Sequence, residues 1–491
     1  MVGARLISRI IDVTTILVLA HILAPNDFGL VAIAMSLIYI VEAALELPIS
    51  QALVRLPVLT AAHYDTAFTL SFLRGTFLSL LICSFSVPFA RFYGDRRLVP
   101  LVCLLSLAPA ARGLFSPRLA DFARRLDFSR DFQIEFIGKL LAFASAILLA
   151  LTFRNYWAIA AGTVAAPVIG AVTSYVLAPY RPRFGKTELS AFSGFLGWIT
   201  AAQVVSAINW QSDRLMLGKL TSKTQLGLFT TANDASSVPV MALLAPILRP
   251  LHAAFSQLRT NPVRMRRSYQ STAAAMVALG LPILIGEAVV AEPAVRLMLG
   301  QRWMGAAPLL RWLAISLIPM LFAVPMPPLV MAFGDTKIFL KRNMFEICVK
   351  LPLVIYGAIH FGFMGVIVAR CVSETATVVF CISIVKRLIG LSMREQLLAP
   401  WRALVSASVM AVVILVLTPW FTHATATVPL ATGLIFIVCV GMAVYCASMW
   451  SLWILTGSPA GLEAMVACKI SDFFSRRRVR ATAHKMLRED A

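Results

Sequence analysis

The sequence predicts an all-α, polytopic membrane protein of about fourteen transmembrane helices. Three observations carry that reading. Hydrophobic residues make up 59% of the 491 positions and charged residues only 14%, with a mean hydropathy of +0.83 sustained along almost the whole length. The apolar stretches are continuous runs, such as LVSASVMAVVILVLTPW and GLIFIVCVGMAVYCASMW, not the alternating pattern of a membrane β-barrel. The polar gaps between them are short, which leaves no room for a sizeable aqueous domain.

A hydrocarbon layer about 30 Å thick needs roughly 20 apolar residues per helical crossing. Stretches near residues 6–24, 28–47, 66–90, 98–117, 131–153 and 156–178 supply six crossings and define an N-terminal six-helix lobe, residues 1–180. The segment PYRPRFGKTELS follows, with an inter-lobe cytoplasmic loop at 181–190. Stretches near 191–218, 226–250, 272–298, 305–333, 338–360 and 362–385 make a second six-helix lobe within 191–390. Two additional helices, near 403–420 and 429–455, occupy 391–456, and a basic cytoplasmic tail covers 457–491. Asp12 interrupts the first apolar stretch and LAHILAPNDFG offers no small-residue cleavage site, so the first helix is expected to be retained.

A net charge of +21 could suggest nucleic acid, but its placement argues against that. With the N-terminus threaded inside, about two-thirds of the 44 Lys and Arg residues fall in cytoplasmic segments. The clusters are Arg118, Arg124, Arg125 and Arg130; Arg181, Arg183 and Lys186; Arg259, Arg264, Arg266 and Arg267; and Arg476, Arg477, Arg478 and Arg480. They read as topology anchors against anionic lipid, in a bacterial inner membrane with both termini cytoplasmic. Cys83, Cys103, Cys348, Cys371, Cys381, Cys439 and Cys446 lie inside apolar runs with no C-x-x-C pair, so neither a disulfide framework nor a metal site is expected. There is no Walker A loop, no H-E-x-x-H and no extended soluble segment, which argues against an enzyme and against any cofactor.

The two six-helix blocks look like copies. An offset of 198 places Phe28-Gly29-Leu30 on Leu226-Gly227-Leu228, Ala34 on Ala232 and Pro48 on Pro246. Further on, FYGDRR (92–97) resembles LMLGQR (297–302), and Lys139-Leu140 matches Lys350-Leu351. An even number of crossings per copy keeps both in one orientation, related by an axis along the bilayer normal, and repeats of this kind hold a substrate site at their interface.

Polar residues fall in stripes. The first helix carries Arg5, Ser8, Asp12 and Thr15 at helical spacing, and the seventh carries Gln203, Ser206, Asn209, Trp210 and Asp213. Such a stripe faces a protein interior or a hydrated cavity, since lipid solvates neither amides nor carboxylates. For the serines and threonines, interhelical hydrogen bonding is an equal reading.

Seven bases lie within predicted crossings: Arg74, Arg112, Lys139, Arg214, Arg311, Lys350 and Arg370. Exposing all of them to lipid at roughly 3 kcal/mol each would cost on the order of 20 kcal/mol, so they are expected to be sheltered. Arg112, Arg214 and Arg311 sit nearer helix ends, where snorkelling to headgroups is an alternative. Glu135–Lys139, Glu346–Lys350 and Arg370–Glu374 are spaced to neutralise one another along their own helices. Arg74 has no acid within four residues on either side and is the leading candidate to meet an anionic ligand, pyrophosphate being the type that most needs such a cation. The cavity candidates are thus Arg74, Lys139, Lys350, Arg370, Asp12, Gln203, Asn209 and Asp213. Among Glu42, Glu46, Asp234, Glu287 and Glu292, Asp234 and Glu287 are candidates for coupling to a moving cation.

LAHILAPNDFGLVAIA, followed by ALVRLPVLTAAHYDTAF, resembles the opening of the polysaccharide transporter family of oligosaccharide flippases, in the multidrug/oligosaccharidyl-lipid/polysaccharide (MOP) exporter superfamily. ADFARRLDFSRDF, DRLMLGKLTSKTQLGLFTTANDASSVPV and AEPAVRLMLGQRWMGAAPLL resemble later landmarks, so the likeness runs over roughly residues 15–400. The resemblance implies two lobes in a V around a central cationic cavity, to which Arg74, Lys139 and Lys350 would contribute, and alternating access. It implies as substrate an undecaprenyl-pyrophosphate-linked repeat unit for exopolysaccharide, capsule or lipopolysaccharide O-antigen, with membrane lipids and the pathway's polymerase and chain-length proteins as partners. The alternatives are a cation-coupled multidrug exporter of the same superfamily or an integral-membrane polymerase or glycosyltransferase, which would usually carry a long external loop.

Overall fold

A computed structural model describes residues 2–458 apart from 48, 57, 126, 189–197, 336 and 423–426, together with 463 and 464. The basic tail beyond 464, the end of the inter-lobe loop and the side chain of Arg5 lie outside the described residues. Among those described there are helices and no strand.

In chain order the helices are α1 (Val2–Ile22), α2 (Pro25–Ala44), α3 (Ile49–Arg55), α4 (Ala61–Tyr93), α5 (Leu98–Leu105), α6 (Leu107–Gly113), α7 (Leu119–Arg124), α8 (Phe128–Phe153) and α9 (Trp157–Leu177). After the linker come α10 (Trp198–Leu220), α11 (Lys223–Leu258), α12 (Pro262–Val289), α13 (Ala291–Met298), α14 (Ala306–Leu317), α15 (Met326–Phe333), α16 (Lys337–Ile389), α17 (Met393–Leu398), α18 (Trp401–Thr422) and α19 (Thr427–Leu455). Nine helical segments among the described residues are long and apolar enough to cross a membrane. Together with α1, α5–α6, α10 and α11, and with the longest of the nine counted as two crossings, they are consistent with the fourteen expected.

Local chemistry sets the boundaries. Pro25 opens α2, where a preset φ and a missing N–H cost nothing, and the Asp27 carboxylate accepts the Ala24 N–H at 3.2 Å. Gly94 ends α4 at φ 68°, a conformation unfavourable for a residue with a Cβ. Asn261 caps α12 by accepting the Arg264 N–H at 3.0 Å, with Pro262 next.

The 53-residue α16 would be about 80 Å long if straight, far more than one crossing needs. It is two helices, broken at Gly362, whose φ of 61° and ψ of −143° are open to glycine alone. The chain folds back so tightly that a Cβ on Gly357 would run into the carbonyl of Gly365, and one on Gly365 into that of Gly357. This places the turn between the expected spans 338–360 and 362–385.

The chain forms two compact units. The first comprises Met1–Ala242, Ala294–Ser316 and Gly334–Thr377, and so contains helices from both sequence copies. Inside it, α8 and α9 pack through small residues: a Cβ on Gly162 would meet Ala146, and one on Gly138 the backbone at Ala166 and Gly170. Close backbone approach of this kind substitutes for a hydrophobic drive that lipid does not provide. The two copies meet where α2 crosses α11. There a Cβ on Gly29 would strike the carbonyl of Lys223, and one on Gly227 the carbonyl of Pro25, each four residues before the partner glycine. The crossing is reciprocal, and it pairs the glycines that the offset of 198 aligns.

The second unit comprises Leu243–Pro293, Leu317–Phe333 and Val378–Ala491. Its helices are tied by buried polar contacts to backbone. Tyr445 Oη donates to the carbonyl of Ala278 at 2.8 Å, and Gln396 Nε2 donates to those of Ile382 and Leu391 at 3.2 and 3.0 Å.

Gly357→Val should force the α16 hairpin apart and cost about 1–3 kcal/mol or more, as overpacking does. Gly286→Ala in α12, where an added Cβ meets nothing within 4 Å, should instead gain roughly 0.5–1 kcal/mol. Thermal denaturation in detergent, followed by loss of the monodisperse species, would read both.

Candidate substrate-binding site

Within the first unit two sets of polar contacts lie among the apolar helices, one tying α4 and α6 to α2 and the other tying α10 and α11 to α16. The first starts at Arg74 on α4, whose Nε donates to the carbonyl of Leu45 and whose Nη2 lies 3.4 Å from that of Glu42. Both carbonyls belong to the C-terminal end of α2, where unsatisfied acceptors and the helix dipole attract a cation. Glu42 in turn holds the guanidinium of Arg112 from α6. Tyr39, one turn earlier on α2, lies within electrostatic reach of Glu42, Arg112, Arg214 and Asp234.

On the α10 and α11 side, Arg214 Nη2 donates to Asp234 Oδ1 at 2.9 Å. Asn233 Nδ2 reaches the same oxygen at 3.4 Å, while its Oδ1 accepts from Arg370 Nη1 at 2.7 Å. Arg370 Nη1 also lies 3.4 Å from Asp213 Oδ2, and its guanidinium sits 5.9 Å from the ring centre of Phe229. Lys350 closes the series, with Nζ 3.0 Å from Asp213 Oδ1 and 3.1 Å from the Asn209 carbonyl it donates to. The Asp213 contact is a Coulombic pair whose angle does not make a hydrogen bond, so that oxygen keeps no hydrogen-bond donor. Glu374, one turn past Arg370, acts electrostatically on Arg370, Lys350 and Asp213.

Exposure is graded across these contacts. The side chains of Lys350, Asp213 and Arg370 are only 5%, 7% and 11% exposed, whereas Asp234 and Arg112 are 40% and 46% exposed. The deep end is a charge cluster closed on itself. Arg214, at 18%, lies between these values, and Asp234, Arg112 and Tyr39 are the more exposed groups.

Several sequence expectations meet here. Asn209, Asp213, Asp234, Lys350 and Arg370 fall into one connected series, although Asn209 contributes its backbone carbonyl and leaves its side-chain oxygen buried without a partner, whereas Arg74 belongs to the other set, with Glu42 and Arg112. Lys350 takes its counter-charge from Asp213 on another helix, while Glu346, the acid one turn away, binds Arg342 at 3.2 Å. Arg112 and Arg214 pair with acids inside the bundle. Tyr39 carries no charge and escaped the sequence reading.

Other candidates stand apart. Lys139 lies 2.8 Å from Asp12 on α1 and 3.1 Å from Glu135 on its own helix. This trio repeats the second-copy arrangement, a first-helix Asp meeting the Lys of a Glu-x-x-x-Lys segment, so Asp12 and Asp213 play the same part. Gln203 is half-buried on α10. Glu287, in the second unit, has its Oε2 buried with no hydrogen-bond partner. Among the described residues no group of three His, Cys, Asp or Glu side chains could hold a metal ion.

A bundle of apolar helices with charged and amide side chains paired inside it is the architecture of a polytopic membrane transporter. The chain belongs to the polysaccharide biosynthesis protein family, which residues 18–308 match. It is 23% identical over 402 residues to the succinoglycan biosynthesis transport protein ExoT of Rhizobium meliloti, covering 82% of this chain and 81% of that one. It is 22% identical to the lipopolysaccharide biosynthesis protein WzxC of Escherichia coli, over 78% of this chain and 79% of that one. Its fold is similar to that of the lipid II flippase MurJ in an inward closed conformation, with a TM-score of 0.71 at 13% identity, over 92% of this chain and 98% of that one. An inward-facing multidrug resistance MATE transporter of the MOP superfamily is also similar, with a TM-score of 0.59 at 14% identity over 78% and 96%.

Asp213→Ala would leave Lys350 and Arg370 buried without their shared counter-charge, at a cost of about 3–5 kcal/mol. Asp12→Ala removes the matching acid where it is 36% exposed, and should cost only about 0–1 kcal/mol. Unfolding of the two purified variants side by side would measure the difference.

Proposed function

We propose that the chain is a flippase. It moves an undecaprenyl-pyrophosphate-linked oligosaccharide repeat unit across the bacterial inner membrane, for exopolysaccharide, capsule or O-antigen synthesis, by alternating access. Both termini are cytoplasmic, and a polymerase and chain-length proteins act on the product. The observation that carries this reading is the graded polar series buried among apolar helices. A sugar and pyrophosphate entering hydrocarbon lose the water on every hydroxyl and phosphate oxygen, a loss of several kcal/mol per unsatisfied group. Fixed donors and charges at mid-depth replace that water, while the polyprenyl tail stays in lipid. The barrier falls by solvation, with no bond made or broken.

In this scheme Arg112 and Arg214 meet the pyrophosphate. Arg112 is exposed and Arg214 half-buried, and each is held in position by an acid. Arg74 steadies the end of α2 that carries Glu42. Asp213, Lys350 and Arg370 brace α10 to α16, and Asn209, Gln203, Asp12 and Lys139 extend the polar walls. The moving bodies are the lobes 1–180 and 191–390, joined by the loop 181–190, with the helices of 391–456 and the tail 457–491 outside the path. Glu287, buried without a hydrogen-bond partner, is the better of the two cation-coupling candidates, since Asp234 is already engaged by Arg214. The transport function named for the succinoglycan relative and the lipopolysaccharide biosynthesis role named for the Escherichia coli one support this reading, and the likeness to MurJ and to the MATE transporter bears on fold alone.

Hydrogen bonds to charged groups contribute about 1.5–3 kcal/mol, so Arg112→Ala and Arg214→Ala should each lower polymer export by about tenfold or more, with the protein still in the membrane. Lipid-linked repeat units should accumulate on the inner leaflet in cells carrying the double variant. Full export by that variant would remove both residues from the transport path.

A further inference from the structure

Two short loops that resemble each other in sequence do reciprocal work. The first follows α4 and reads Gly94-Asp95-Arg96-Arg97; the second follows α13 and reads Gly300-Gln301-Arg302-Trp303. Each turns on a glycine at positive φ, 68° at Gly94 and 88° at Gly300. Each then crosses to the other sequence copy. Asp95 receives Lys223, at the start of α11, and is held on its other side by Arg97 at 2.9–3.2 Å. Trp303, fully buried, donates from Nε1 to the carbonyl of Ala20 near the end of α1 at 2.8 Å, and meets Phe28 of α2 edge-on at 5.0 Å. Between the loops lies the Gly29–Gly227 crossing. Tyr93 Oη donates to the carbonyl of Leu215 at 3.0 Å, and Lys219 Nζ to that of Phe92.

All of these contacts lie at one end of the first unit, where α1, α4 and α10 finish and α2, α5 and α11 begin. Apart from the Arg97–Asp95 contact, each joins residues of 1–180 to residues of 191–390. Burial opposes ionisation of Asp95, but the hydrogen bonds from Arg97 and Lys223 outweigh it and hold its carboxyl below the usual carboxylate range. The ion pair therefore stabilises the closed arrangement at every pH above the ordinary value of about 3.9, and is lost only as pH falls through the lower folded one.

We propose that Gly94–Arg97 and Gly300–Trp303 form a two-sided latch that seals the outer end of the transporter, one side an ion pair and the other a buried indole. Opening toward the outside requires Asp95 to release Lys223 and Trp303 to release Ala20. The latch rests on the alternating-access reading but not on the identity of the substrate. An ion pair and a tryptophan in a socket suit the task, since both hold through short-range contacts and let go together once the ends separate.

The test uses the full-length chain in cells, with its native cysteines replaced by serine and Tyr39→Cys as reporter. Tyr39 lies ten residues, about 15 Å, inward of Gly29 along α2. A membrane-impermeant maleimide added from outside should label it slowly. Asp95→Ala with Trp303→Ala should raise the labelling rate by about tenfold or more, the scale expected when one partner of a partly buried ion pair is removed. A second version, carrying Asp95→Cys and Lys223→Cys bridged by a short reducible thiol cross-linker, should label at the slow rate, and the same cross-link in a chain that keeps Tyr39 should stop transport, with both effects reversed by reductant. Unchanged labelling in the first version, or fast labelling of the cross-linked second, would overturn the latch. The cross-link decides alone if the alanine variant fails to reach the membrane. The expected labelling response, alongside a chain keeping Tyr39 that moves no lipid-linked sugar, would leave the latch standing and remove the proposed substrate.

Discussion

A charge inside an apolar bundle has no water to fall back on, and this constraint organises most of the molecule. Arg74, Arg112, Lys139, Arg214, Lys350 and Arg370 all lie within membrane-spanning helices, and each is met by a carboxylate or a backbone carbonyl, on another helix in every case. Because the partners come from different helices, every such contact also fixes how two helices lie against each other. Solvation of charge and assembly of the bundle are therefore one problem with one solution.

The duplication supplies that solution twice, with different burial. In the first copy Asp12, Lys139 and Glu135 form a trio that stays 25–50% exposed. In the second, Asp213 and Lys350 are almost fully buried, and Arg370 and Asn233 are added around them. The extra arginine and the amide carry the polar series out to Asp234 and Arg214, and so connect the buried brace to the accessible end. The Asp–Lys pair is part of a longer series in one half and a local contact in the other.

Closure at one end follows from different chemistry. Gly29 and Gly227 let two helices touch backbone to backbone, which brings the flanking loops within reach of the opposite copy. Side chains larger than hydrogen there would hold the copies apart, and neither Asp95 nor Trp303 could make its contact. The small residue thus sets the distance, and the charged and aromatic residues set the strength of the closure.

Composition and run length alone determined the class of protein, the helical architecture and nearly every span, because the length of an apolar run is set by bilayer thickness and needs no tertiary information. Even the break in the longest helix was legible, since Phe361 and Gly362 separate two runs that are each long enough to cross. The repeat was legible too, through Gly29 and Gly227, although an offset of 198 paired Asp213 with Thr15 where the ion pairs assign its role to Asp12. The partners of the buried charges were decided only by tertiary structure. A sequence shows acids one turn away, such as Glu346 beside Lys350, but the strongest counter-charge is the one brought closest by helix packing, and for Lys350 that is Asp213, more than a hundred residues distant. The same holds for Arg74, which lacks a neighbouring acid in the chain and is satisfied by carbonyls at the end of α2. Residue types mark where a helix ends along the chain, but not which side chain that end will be packed against.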